Sequence, residues 1–140
     1  MRRPAGRLAF TVWAPPPRSP TFAALFSAVE RYGTPDVGLP PSPDFFRYTE
    51  QATAAVDLGA AGFADVSVDD VAQTWTLPTA ADAVDGLLRG TVRIGALLSR
   101  QPPGALDRVR RSVAEQLAAY DDGGSARIPM PAVVVRATRP

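Results

Sequence analysis

Residues 58–66 read Leu58-Gly59-Ala60-Ala61-Gly62-Phe63-Ala64-Asp65-Val66, and their character changes halfway. The first part closes a run in which Ala52, Ala55, Val56 and Leu58–Gly59 recur at helical spacing, the pattern of a helix with one apolar face. Ala61-Gly62-Phe63 supplies a stop, because glycine takes the left-handed conformation that ends helices. Past the stop the period falls to two. Val66 and Val68 alternate with polar residues, and Val71, Trp75 and Leu77 continue the alternation, which predicts one long bent strand or two short ones over residues 64–77, with Asp69-Asp70 at the bend. The stretch is therefore a helix-to-strand junction, and the rest of the chain sorts around it.

Upstream, the helix begins near Thr49-Glu50-Gln51, and Asp44-Phe45-Phe46-Arg47-Tyr48 interrupts a loop of four prolines and one glycine at 34–43. Before that loop, Ser19-Pro20 reads as an N-cap and first helical residue. Phe22, Leu25, Phe26 and Val29 follow at helical spacing, and Gly33 ends the helix. Before that again, a Pro4-Ala5-Gly6 turn feeds an apolar strand over 8–13, which Ala14-Pro15-Pro16-Pro17 must end because proline gives no N–H to a ladder. Downstream, residues 79–120 read as helical, with Thr79 as a cap, a break at Pro102-Pro103-Gly104, and a last helix whose Leu106, Val109, Val113, Leu117 and Tyr120 form one stripe. Asp121-Asp122-Gly123-Gly124 ends it. Residues 128–138 predict a final strand whose run Val133-Val134-Val135 suits burial on both faces. The order strand, helix, helix, strand, helical block, strand predicts an α/β layered fold with a helical crossover.

Composition bounds the chemistry. The chain has 140 residues with 46% apolar and 21% charged residues, which predicts one domain, able to bury roughly 68–70% of its unfolded surface. A net charge of +1 gives no electrostatic reason for a nucleic-acid or membrane partner. There is no Cys, His, Lys or Asn, and every basic residue is Arg. Thiol nucleophiles, Schiff bases, imidazole relays and His/Cys metal sites are excluded within these residues, leaving Asp, Glu and Tyr as acid–base groups. The Arg-for-Lys bias points to a GC-rich bacterial coding sequence. No apolar stretch reads as a signal peptide or spanning helix, so a cytoplasmic protein is the expectation.

The junction at residues 58–66 resembles a known family. Leu58-Gly59-Ala60-Ala61-Gly62-Phe63-Ala64-Asp65-Val66 is similar to the "L-x-x-A-G-F-x-x-V" junction between the helix after strand five and strand six of class I S-adenosylmethionine-dependent methyltransferases. Pro4-Ala5-Gly6-Arg7-Leu8 resembles the entry into strand five. Phe45-Phe46-Arg47-Tyr48-Thr49 resembles the lead-in to the intervening helix, and Ala132-Val133-Val134-Val135-Arg136-Ala137 resembles strand seven. The nearest likeness is to the small-molecule branch that includes quinone-biosynthesis C-methyltransferases. The resemblance implies the C-terminal half of a Rossmann-like sheet, about three strands with helices. Strand seven would lie between five and six, antiparallel to both, and residues of about 79–122 would form a lid-like helical insertion. It also implies S-adenosylmethionine as the cofactor of the intact family. That family holds its cofactor with a Gly-rich turn, and this sequence contains no G-x-G. Because such a turn lets backbone approach the ligand without a Cβ in the way, we expect the chain alone neither to bind the cofactor nor to transfer methyl groups.

The candidate substrate-binding residues are Trp13, Phe45, Phe46, Arg47 and Trp75. Trp13 lies at the carboxyl end of a strand, where open α/β sheets bind ligands. Adjacent Phe45 and Phe46 cannot both face one core from extended chain, so one is free to face a pocket; Arg47 is suited to an acidic group or to pairing with Glu50. Trp75 suits either the cavity or the core beneath the helical block, with the core favoured. Arg89 and Arg93 read as a solvated helix face. Asp69 and Asp70, as strand neighbours, point to opposite faces and make no paired-carboxylate site. No catalytic, cofactor-binding or metal-ligating residue is assigned. Two other readings stay open: a non-catalytic interaction module that forms a homodimer through the open edge of its first strand, and a small stand-alone enzyme built on Asp and Tyr.

Overall fold

The computed structural model describes residues 6–140; Pro4 and Ala5 of the expected N-terminal turn lie outside the described residues. The elements are β1 (Arg7–Trp13), α1 (Pro20–Tyr32), α2 (Gln51–Ala60), β2 (Ala64–Val71), β3 (Thr74–Leu77), α3 (Asp82–Gly90), α4 (Val92–Ser99), α5 (Ala105–Leu117), β4 (Ala126–Pro129) and β5 (Ala132–Thr138). The protein is a mixed α/β fold with two small antiparallel sheets, of order β1-β5-β2 and β3-β4. Its contacts separate into two compact units. One comprises residues up to 18, 42–73 and 130 onward; the other comprises 19–41 and 74–129.

In the first unit β5 is the central strand. It runs antiparallel to β1, with Phe10 opposite Val135, and antiparallel to β2, with Val68 also opposite Val135. The two outer strands therefore run parallel to each other, with α1 and α2 in the chain between them. Alternation along the strands separates two faces. Val133, Val135 and Ala137 are buried with Ala54 and Leu58 of α2, and Leu8, Phe10, Val12, Tyr48, Phe63, Val66 and Val68 close around them. Phe10 and Tyr48 meet edge to face, 5.5 Å between centroids, a geometry aromatic rings prefer. On the opposite face Ala9, Thr11, Trp13 and Arg136 are exposed and Val134 is half-buried. The valine run is thus fully buried on one face only, not on two, because only the α2 face of this unit carries a helix.

The junction at 58–66 is set by local hydrogen bonds. Gly62 adopts φ +83°, its N–H donates to the Gly59 carbonyl, and the Phe63 N–H donates to the Leu58 carbonyl. These two bonds form a Schellman motif, completed by the apolar residues Leu58 and Phe63 in the same core cluster. The ladder with β5 then slips between Ala64 and Ser67, where Asp65 takes φ +52°. Asp65 is held there by the Thr138 hydroxyl, which donates to its carboxylate at 2.7 Å. The Val66 carbonyl of this bulge accepts from Gln51 Nε2 at 2.9 Å, which ties the bulge to the first turn of α2.

The second unit brings α1, α3, α4 and α5 together with the β3-β4 pair. Val109, Val113 and Leu117 of α5 are buried, as are Phe22, Leu25 and Val29 of α1, and these two helices pack together. Thr91 separates α3 from α4: its hydroxyl donates to Leu87 O and accepts from the Gly95 N–H. Gly95 is needed there because a Cβ would come 2.6 Å from the Leu88 carbonyl oxygen. Asp82 accepts from both the backbone N–H and the hydroxyl of Thr79, so α3 begins at Asp82 with Thr79 bonded to its first turn. Gln101 closes the Pro-rich loop by bonding both the N–H and the carbonyl of Thr34.

Two expected strands divide. Residues 64–77 break at Ala72-Gln73, beyond the expected Asp69-Asp70 bend, and their halves enter different sheets. The final strand likewise splits at Met130-Pro131 into β4 and β5, since Pro131 has no N–H to continue a ladder. The helical segment at 79–122 belongs to a larger unit that also includes α1 and the β3-β4 pair.

Candidate functional site

A pocket of about 180 Å³ opens at the carboxyl end of β1, lined by Thr11, Val12, Trp13, Gln73 and Ala132. Its frame follows from two breaks in sheet pairing. After Trp13 the chain leaves β1 through Ala14, whose N–H donates to the Pro131 carbonyl at 3.0 Å; Met130 N–H donates to the Gln73 carbonyl at 2.8 Å. These bonds hold the end of β1, the turn after β2 and the start of β5 around one opening. Thr11 and Trp13, two residues apart, present their side chains on the same exposed face, and Ala132 stands opposite Trp13 in the ladder. Trp13 is 45% exposed. The lining offers an indole, a hydroxyl and a primary amide, and none of the five residues titrates near neutral pH.

The other sequence candidates lie elsewhere. Phe45 is 54% exposed on its loop, while Phe46, half-buried, starts a turn in which its N–H donates to Asp44 Oδ1 and its carbonyl accepts from the Thr49 hydroxyl. Arg47 does not pair with Glu50. It donates through Nε and Nη2 to the two carboxylate oxygens of Asp57 at 2.7 and 3.0 Å, bridging the turn before α2 to a residue two turns along that helix. That bond, with the charge behind it, holds the Asp57 carboxyl below the usual range and the Arg47 guanidinium above its own. The Arg47 side chain is exposed and that of Asp57 half-buried, so the pair is a clamp at the surface of the protein. Trp75 belongs to the other unit, where its indole lies against Gly86 of α3. Asp69 and Asp70 diverge as expected: Asp70 pairs with Arg18, and Asp69 faces Arg136 at 3.7 Å.

Of the five candidates, Trp13 alone lines this pocket. Thr11, which also lines it, is not among those candidates, although its place two residues before Trp13 is a usable signal. Gln73 carried no signal, because its position depends on where β2 and β3 part.

In the second unit a shallow cleft of about 200 Å³ is lined by Tyr32, Arg108, Arg111, Ser112 and Glu115. Arg108 donates there to the Tyr32 carbonyl at the end of α1, as basic side chains near helix C-termini do. Among the described residues no group of three or more Asp or Glu side chains is placed to hold a metal ion, and no helix is long and apolar enough to cross a membrane.

No protein-family model matches the chain, and comparison with curated proteins gives no match.

Proposed function

We propose that this chain is the substrate-side, C-terminal part of a class I S-adenosylmethionine-dependent methyltransferase-like protein acting on a small molecule. The observation that carries the reading is the order β1-β5-β2 with the central strand antiparallel to both neighbours. The resemblance implies that arrangement for strands five, seven and six, with α2 as the helix between five and six. The Trp13 pocket lies at the carboxyl end of β1, the side on which open α/β sheets bind ligands.

In this reading the pocket receives a flat acceptor molecule on the Trp13 indole, and the Thr11 hydroxyl and Gln73 amide orient it. Methyl transfer draws much of its rate from holding two reactants in line, and a lining without a titratable group suits that positioning role. S-adenosylmethionine would supply the methyl group. The residues present do not fit this cofactor, since there is no Gly-rich turn to let backbone approach it.

Two titrations test the reading. With Trp75 replaced by Phe, Trp13 is the only tryptophan left, and its fluorescence should respond saturably to a naphthoquinol. Calorimetry with S-adenosylmethionine should show no heat of binding. A flat fluorescence response at millimolar quinol overturns the substrate-side assignment, and a micromolar Kd for S-adenosylmethionine overturns the claim that the chain lacks the cofactor site.

A further inference from the structure

The two outer strands of the three-stranded sheet treat their edges differently. β2 is bulged at Asp65–Val66, carries Asp65, Asp69 and Asp70, and has its Val66 carbonyl taken by Gln51. Bulges and charges of this kind keep an edge from pairing with another chain. β1, sequence Arg-Leu-Ala-Phe-Thr-Val-Trp, has no proline, no bulge and a single charge at its start. Among the described residues β5 is its only strand partner.

The direction of its outer backbone groups follows from the ladder. Arg139 N–H donates to Gly6 O, and Ala14 N–H donates to Pro131 O. Gly6 and Ala14 therefore exchange bonds with the β5 side, and the alternation of an antiparallel ladder extends this to Leu8, Phe10 and Val12. Arg7, Ala9, Thr11 and Trp13 turn their N–H and C=O groups to the outer edge.

We infer that β1 pairs antiparallel with β1 of a second copy of this chain, in the register centred on Phe10. A two-fold interface must be self-complementary, and this register is. Ala9 meets Thr11 of the second copy as a hydrogen-bonded pair, small against small. Arg7, the only charge on the strand, meets Trp13, where a guanidinium over an indole face is favourable. Leu8 meets Val12 on the other face, with the two Phe10 residues at the centre. A shift of two residues would leave Arg7 opposite either Thr11 or the chain beyond Trp13 and lose the cation–indole pairs. The pairing joins two three-stranded sheets into one of six strands whose remaining edges are the guarded β2 strands. It also brings Arg7 of the second copy to the rim of the Trp13 pocket, adding a cation to a lining that has none. This association goes beyond the small-molecule reading and does not depend on it.

Sedimentation velocity of the unmodified chain from about 1 to 500 μM is expected to show a shift from monomer to dimer with no larger species. Thr11→Lys should lower the association constant at least tenfold with an unchanged circular dichroism spectrum. Because the chain has no cysteine, register can be read directly. In this register Cα of residue 9 lies about 5.5 Å from Cα of residue 11 in the second copy, within the roughly 4.4–6.8 Å that a disulfide spans. An oxidised mixture of Ala9→Cys and Thr11→Cys chains should yield a covalent dimer joining one chain of each type, and either variant alone should not. A monomer throughout the concentration range, or larger species without a dominant dimer, overturns the pairing. Covalent dimers formed as readily by Ala9→Cys alone overturn the register.

Discussion

The indole of Trp75 occupies the space that a Cβ on Gly86 would need, with Cζ2 and Cη2 2.5 and 2.7 Å from that position. A bare backbone in the middle of α3 thereby becomes the seat for a tryptophan on β3. Helix propensity alone favours Ala at such a site by about 1 kcal/mol, while forcing a methyl into a filled space costs about 1–3 kcal/mol. We expect Gly86→Ala to destabilise the protein by up to about 2 kcal/mol in urea unfolding. In a Trp75→Ala background the same change should stabilise it. Equal effects in both backgrounds would show that the two residues do not share that space.

The Arg47–Asp57 clamp predicts a pH dependence. The Asp57 carboxyl is held below its ordinary range in the folded chain, first by the Arg47 hydrogen bond and also by its charge. A depressed folded pKa contributes stability that is present above the unfolded value, about 4, and is lost as pH falls through the folded one. Asp57→Asn should therefore lower the urea midpoint at pH 6, and the gap to the parent should close below pH 4. Added salt should narrow it at pH 6, since the pair lies at the surface with the Arg47 side chain exposed. A gap that is constant with pH would assign the effect to something other than this pair.

Asp65 sits in the left-handed region at the β2 bulge, which costs a non-glycine residue roughly 1–2 kcal/mol. Asp65→Val should cost stability of that order, because a β-branched side chain tolerates the conformation poorly and the bond from Thr138 is lost. Asp65→Asn keeps an acceptor for Thr138 and should be close to neutral. Thermal melts of the two variants side by side separate strain from hydrogen bonding.

Leu117 is buried at the end of the α5 stripe. Leu117→Ala should lose about 2–5 kcal/mol, whereas Glu115→Ala, on the exposed face of the same helix, should change stability by less than about 0.5 kcal/mol. Guanidinium titrations of both variants check the facing of the helix.

At the Trp13 pocket, Thr11→Val and Gln73→Ala should each weaken naphthoquinol binding about two- to tenfold, the loss of one hydrogen bond of ordinary strength. Phe45→Ala should leave binding unchanged. A larger loss at Phe45 than at Gln73 would place the acceptor site on the loop instead of the sheet.

What could be read from the residues and what could not divide along a physical line. Leu58–Val66 announced a helix, a glycine stop and a strand, and the Schellman bonds at Gly62 and Phe63 realise that reading, because such signals act over one turn of chain. The α5 stripe and the Pro20 start of α1 were legible for the same reason. The partners of Arg47 and the fate of Trp75 were less so: a long side chain can reach several neighbours, and the choice falls to whichever carboxylate or bare glycine the fold brings within range.

The sequence by itself determined the helix stops, the alternation of the strands and the exclusion of thiol, imidazole and amine chemistry, since each depends on residue type and local spacing alone. Only the tertiary structure decided that the two long strands split between two sheets, that Gln73 joins Thr11 and Trp13 at one opening, and that the valine run is fully covered on one face. Those outcomes depend on which distant segments satisfy each other's backbone hydrogen bonds and apolar surface.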